Sequence, residues 1–177
     1  MIVFRQADEN ALDYQVLRDG SVSLYRNPLY LEDDLQWLRQ RGYRIYRVDC
    51  TTWTSEAALH ESLQGELLFP AYYGKNRNAL WDCMSDLDIP EDGGVAIVLS
   101  SYDVYAKGPG SARTDSGMTA AEGILDIFAG TSRYMLLTGR RLITFVQSHE
   151  PSIRFGKLGG VSAEWNRREW LNKDRGL

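Results

Sequence analysis

The residues best suited to chemistry lie in one stretch, Leu67-Leu68-Phe69-Pro70-Ala71-Tyr72-Tyr73-Gly74-Lys75-Asn76-Arg77-Asn78-Ala79-Leu80-Trp81-Asp82-Cys83. Their chemistry is recognition rather than bond-breaking. An apolar helix end meets a proline, and two tyrosines, a glycine and an asparagine lead into a second helix, expected from Asn76 to about Leu87. At 3.6 residues per turn, Leu80, Cys83, Met84 and Leu87 share an apolar stripe flanked by Ala79, while Asn78, Trp81, Asp82 and Ser85 fall on the other side. A tryptophan beside a carboxylate, both off the core stripe, is the pattern of a protein-binding edge.

Other chemistry finds little support. His60 and His149 are the only histidines, and His60 sits in a helical context between Leu59 and Glu61. No Gly-x-Ser-x-Gly, His-Glu-x-x-His, phosphate-binding glycine loop or paired-cysteine zinc pattern occurs. Gly108-Pro109-Gly110-Ser111 lacks the Lys-Ser/Thr of a phosphate loop, and Asp86, Asp88, Glu91 and Asp92 do not have calcium-loop spacing. The expectation is therefore a binding protein and not an enzyme, with no cofactor and no metal. Cys50 and Cys83 read as reduced thiols, though a bridge between them depends on a distance that spacing does not supply.

Periodicity and punctuation give the helices and strands around this stretch. Tyr14–Leu17 and Ser21–Tyr25 flank Arg18-Asp19-Gly20, which predicts a hairpin. Leu31–Gln40 reads as a short helix stopped by Gly42. Tyr43–Asp49 alternates as a strand. Thr54 or Ser55 then caps a helix with Leu59, Leu63 and Leu67 at steps of four. Val95–Leu99 is an uninterrupted apolar run, as in a strand covered on both faces. Residues 106–118 form a Gly/Ser-rich loop, Ala120–Phe128 a helix, and Leu142–Val146 the third central strand. Strands separated by helical crossovers imply an α/β fold with a small parallel three-stranded central sheet, in two or three layers. The N-terminal hairpin and helix and a C-terminal extension are appended to it. The tail, with Trp165 and Trp170, is expected to pack back on the body.

Composition agrees with a globular protein: 44% hydrophobic, 25% charged, net charge -4. No apolar run reaches the length of a membrane span and no signal-peptide pattern opens the chain, so a cytoplasmic location is expected. Charge is uneven. Residues 43–92 hold nine acids against four bases, and residues 154–177 six bases against three acids. A basic partner would thus be drawn to the region of Trp81 and Asp82.

At the Tyr72–Cys83 motif, and in this order of elements, the chain resembles the barstar family, intracellular protein inhibitors of the secreted ribonuclease barnase. The resemblance spans about Arg44 to Ser148, which divides the chain into an N-terminal extension (1–42), a core domain (43–148) and a C-terminal extension (149–177). It implies that the loop and second helix enter a nuclease active-site cleft. Tyr72 and Gly74 match loop contacts, Asn76 the start of the helix, and Trp81 a packing contact. Asp82 matches the acid that takes the place of the RNA phosphate. Asn78 stands where the family has a second acid, Lys75 and Arg77 where it has an acid and a leucine, and Gly130 where it has a further acid. The implied partner is a basic ribonuclease or nuclease toxin domain, with the inhibitor a monomer in an immunity or antitoxin role. The alternative is a non-inhibitory interaction or regulatory module on the same fold.

Overall fold

Val95, Ile97 and Leu99 point to one side of their strand and Ala96 and Val98 to the other, yet all five are buried. A strand apolar on both faces needs helices above and below it. A computed structural model, which describes residues 4–111 and 118–177, shows how the chain supplies them. In chain order the elements are α1 (Leu12–Arg18), β1 (Val22–Tyr25), α2 (Pro28–Gln40), β2 (Tyr43–Asp49), α3 (Glu56–Glu66), α4 (Arg77–Ser85) and β3 (Gly94–Ser100). They continue with α5 (Tyr102–Lys107), α6 (Ala120–Leu137), β4 (Leu142–Gln147) and the two-residue strands β5 (Lys157–Leu158), β6 (Val161–Ser162) and β7 (Glu164–Trp165).

Five strands form one parallel sheet in the order β2-β3-β4-β1-β7, and β5 pairs antiparallel with β6. Helices α3, α4, α5 and α6 cover one face with Leu59, Leu63, Leu80, Met84, Tyr102, Leu125 and Phe128. Helices α1 and α2 cover the other with Leu12, Leu17, Leu31, Leu35 and Leu38, packed on Tyr25, Ala96, Val98, Ile143 and Phe145. The fold is thus a three-layer α/β arrangement. The N-terminal residues provide one whole helical layer and a strand.

Three expectations are corrected. The N-terminal hairpin does not form: Tyr14–Leu17 lies inside α1, and the turn at Asp19-Gly20 joins a helix to a strand. Four residues are too few to separate a period of 2 from one of 3.6, and burial of Leu12 and Leu17 against the sheet decides for the helix. The sheet has five strands, because β1 adds parallel to the free edge of β4 and β7 adds to β1. The last core helix runs on to Leu137 through Gly130-Thr131-Ser132. There Thr131 Oγ1 donates to the Ile127 carbonyl at 2.9 Å and Ser132 Oγ to the Leu142 carbonyl at 2.6 Å, so both hydroxyls are satisfied without breaking the helix.

The tail divides. Trp165 is buried, but Trp170 remains 57% exposed. Of the expected 106–118 loop, Ala106 and Lys107 belong to α5, Pro109–Ser111 is a 3-10 turn, and residues 112–117 lie outside the described residues. Cys50 and Cys83 are free thiols. No helix among the described residues is long and apolar enough to cross a membrane.

Candidate functional site

Helix α4 is seated by its apolar stripe. Leu80, Met84 and Leu87 are buried, and Ala79 and Cys83 pack half-buried beside them. Burial, with Asp86 and Asp82 nearby, pushes the Cys83 thiol above its ordinary value. Asn76 is the N-cap: its Oδ1 accepts from the Ala79 N–H at 2.9 Å, and its Nδ2 donates to the Gly74 carbonyl at 3.1 Å. One side chain therefore ties the preceding loop to the first turn of the helix.

The side of α4 next to α6 shows why two glycines occur there. A Cβ at Gly130 would lie 2.5 Å from Trp81 Cζ3, and one at Gly123 would lie 2.9 Å from an Arg77 guanidinium nitrogen. Arg77 and Trp81 are four apart on α4, and Gly123 and Gly130 seven apart on α6. Each large side chain lies on a bare patch of backbone. This accounts for glycine at 130, where the family resemblance implies an acid: any side chain there would collide with the Trp81 ring. The indole turns the Cζ3–Cη2 edge of its six-membered ring toward Gly130, and the residue remains 39% exposed.

The loop is anchored from below. Tyr73 is buried, and its hydroxyl lies 2.5 Å from Nδ1 of the buried His60. His60 Nε2 faces the Glu56 carboxylate at 3.8 Å and makes no hydrogen bond. A ring protonated at Nε2, accepting from Tyr73 at Nδ1, suits both neighbours. Burial lowers the His60 pKa, outweighing the opposing influence of Glu56. Tyr73 also meets Phe69 ring to ring at 5.0 Å, and Gln64 Nε2 donates to the Pro70 carbonyl at 3.1 Å. Leu68 (φ 57°) and Lys75 (φ 48°) adopt the left-handed conformation that side chains disfavour. Such strain at both ends of a loop is held by the anchors between them.

Above these anchors stand the groups that face solvent. Tyr72 is 83% exposed, and Gly74, Asn76, Asn78 and Asp82 are also exposed. The Asp82 carboxylate makes no hydrogen bond or ion pair among the described residues. Lys75 Nζ is 3.4 Å from Glu61. Six predicted contact residues, Tyr72, Gly74, Asn76, Asn78, Trp81 and Asp82, thus come from one loop and one short helix. Chemically the surface offers a carboxylate without a partner among the described residues, one exposed and one partly exposed aromatic ring, and a side-chain amide. It can accept charge-assisted hydrogen bonds from a cationic partner.

Three exposed apolar side chains on the loop and on α6 lie outside the predicted contact set. Leu68 is 78% exposed between buried Leu67 and Phe69, and its positive φ, invisible in the sequence, turns it outward. Tyr134 and Leu137, 49% and 83% exposed, continue the Gly130 stripe of α6 at helical spacing. Their place became apparent only once the helix was seen to pass Phe128. The Tyr73 hydroxyl that meets His60, thirteen residues away in the chain, has no local signal in the sequence.

Comparison with known proteins gives the following. A family model described as Barstar (barnase inhibitor) matches residues 43–147. A Bacillus subtilis protein named "Putative ribonuclease inhibitor YrdF" is 35% identical over 57 residues, 32% of this chain and 58% of the relative. The chain therefore spans rather more than half the length of that relative. A solved structure of the Aeropyrum pernix ORC2 protein aligns over 84% of this chain and 42% of its own, at 12% identity and a TM-score of 0.43, a likeness too loose to bear on function.

Proposed function

The chain belongs to the Barstar family, and from that premise we propose that it blocks the active site of a ribonuclease or ribonuclease-type toxin. The observation that carries this reading is the unpaired Asp82 carboxylate, presented beside the pinned Trp81 ring on a helix whose other side is buried. A ribonuclease cleft is lined with cations that hold phosphate, and a carboxylate already stripped of internal partners can accept their hydrogen bonds without first breaking its own. Tyr72 and Leu68 add apolar area on the loop side. Within this reading the protein acts in the cytoplasm as a monomer, in an immunity or antitoxin role. Residues 43–148 form the unit that carries the surface.

The test is titration of a cognate nuclease with wild type and Asp82→Ala. Because Asp82 is exposed and unpaired, the substitution should change folding stability by no more than about 0.5 kcal/mol. It should weaken binding by about 1.5–3 kcal/mol, the range for a charge-assisted hydrogen bond. Equal inhibition by the two proteins would overturn the plug mechanism. Affinity should also fall as salt rises.

A second reading, a non-inhibitory interaction module, is favoured by Asn78 and Gly130, which leave Asp82 without the flanking acids that the resemblance implies. The two separate on one result. An inhibitor abolishes RNA cleavage in proportion to complex formed, whereas a module can bind and leave cleavage intact.

A further inference from the structure

Away from the surface around Asp82, the C-terminal segment builds a cleft of its own. It encloses about 300 Å³ beside β7, near the lower end of the range for small-molecule sites, and Arg154, Phe155, Glu164, Trp165, Trp170 and Arg175 are among its walls. Arg175 is the unusual member. It is only 4% exposed, yet no carboxylate among the described residues pairs with it. Its Nε donates to the Pro151 carbonyl at 2.9 Å, its Nη1 to the Glu169 and Trp170 carbonyls, and its Nη2 to Asn172 Oδ1 at 2.8 Å. Its guanidinium carbon also lies 4.6 Å from the centroid of the Trp165 ring.

A guanidinium has five N–H groups, and these bonds engage four, so one N–H on Nη2 has no acceptor. All four acceptors are neutral, so only carbonyl dipoles and the Trp165 ring face the positive charge of this buried group, an arrangement that an anion would complete. Arg154 reaches the same cleft, is exposed, and makes no hydrogen bond or ion pair among the described residues. Glu164 is the one carboxylate in the lining, which leaves the walls with a net charge of +1. Trp170 is 57% exposed, and no other ring or cation among the described residues stacks on it.

We infer that this cleft binds a small aromatic anion of nucleotide size, its ring stacked on Trp170 and its anionic group held between Arg154 and Arg175. Base–aromatic stacking and charge-assisted bonds to guanidinium supply the two halves of recognition. The site is independent of the surface around Asp82. It does not depend on whether that surface inhibits a nuclease.

The experiment follows the Trp170 indole Nε1–H and the Arg175 Nε–H by NMR in the full chain. The probes are AMP, indole-3-acetate, inorganic phosphate and a single-stranded RNA dodecamer. AMP or indole-3-acetate should move both resonances saturably, and whichever binds more tightly identifies the ligand as a nucleotide or an aromatic carboxylate. Inorganic phosphate should move Arg175 alone. Arg154→Ser and Trp170→Leu alter exposed side chains and should each weaken the aromatic anion about tenfold or more. The inference is overturned if both aromatic anions leave the resonances unmoved at about 5 mM, a concentration that would reveal even a millimolar site. It is likewise overturned if Arg154→Ser titrates like wild type. A response to the RNA alone would also overturn it, in favour of an extended nucleic-acid surface.

Discussion

The seating of Trp81 on Gly130 can be tested by adding one methyl group. In an ordinary helix interior, Gly→Ala stabilises by about 1 kcal/mol, because alanine loses less backbone entropy on folding. At position 130 the new Cβ would lie 2.5 Å from Trp81 Cζ3 and 2.9 Å from its Cη2, about 1 Å short of ordinary contact. The indole is rigid beyond Cβ, so its far edge cannot yield alone. The whole ring must swing away from α6 or the two helices must part, at a cost of about 1–3 kcal/mol. Gly130→Ala should therefore be neutral to about 2 kcal/mol destabilising in the wild-type background. With Trp81→Ala already in place, the same change should stabilise by about 1 kcal/mol. Urea unfolding of the four proteins of this cycle should thus give a coupling of about 1–3 kcal/mol. The Trp81 indole Nε1–H resonance should shift in Gly130→Ala. If Gly130→Ala stabilises equally in both backgrounds and leaves that resonance unchanged, the ring does not lie on Gly130.

Three further predictions concern what holds the site in place. Burial lowers the His60 pKa below its ordinary 6.5, so the unfolded chain is protonated first, and stability fully present above about pH 6.5 is lost as pH falls through the folded-state value. His60→Gln should flatten that decline, read as urea midpoints between about pH 7.5 and 5; an unchanged slope would mean that another group titrates. Leu68→Gly relieves a left-handed leucine and should raise stability by about 1 kcal/mol in thermal or urea unfolding, while weakening any partner that packs on the exposed side chain. Glu169 is 1% exposed and accepts from the Arg26 and Asn27 N–H groups and from Asn166 Nδ2, at 2.9, 2.8 and 2.6 Å. Glu169→Ala should destabilise by about 2–4 kcal/mol and loosen the C-terminal segment to protease, since three donors lose their acceptor.

Much of the site was legible without coordinates. The two faces of α4 follow from residue spacing alone, because a helix converts sequence intervals of three and four into neighbours. The start of α4 near Asn76 and a cap of α3 at Thr54 or Ser55 were visible for the same local reason, and the structure assigns the caps to Asn76 and Ser55. So was the burial of Val95–Leu99 on both sides, since a strand whose alternate residues are all apolar has no face fit for water. The N-terminal segment was misread as a hairpin because a four-residue window contains too little periodicity. The real arbiter was the sheet face left bare by the core helices, which α1 and α2 cover.

Residue identities and short-range spacing suffice to single out the surface around Asp82 and the family resemblance. The extension of the sheet beyond β4 by β1 and β7, the support of the loop by His60 through Tyr73, and the seat that Gly130 offers Trp81 arise from packing alone. Each of these is a contact between residues far apart in the chain. Such contacts are selected by the fit of whole layers against one another, and no local pattern encodes them.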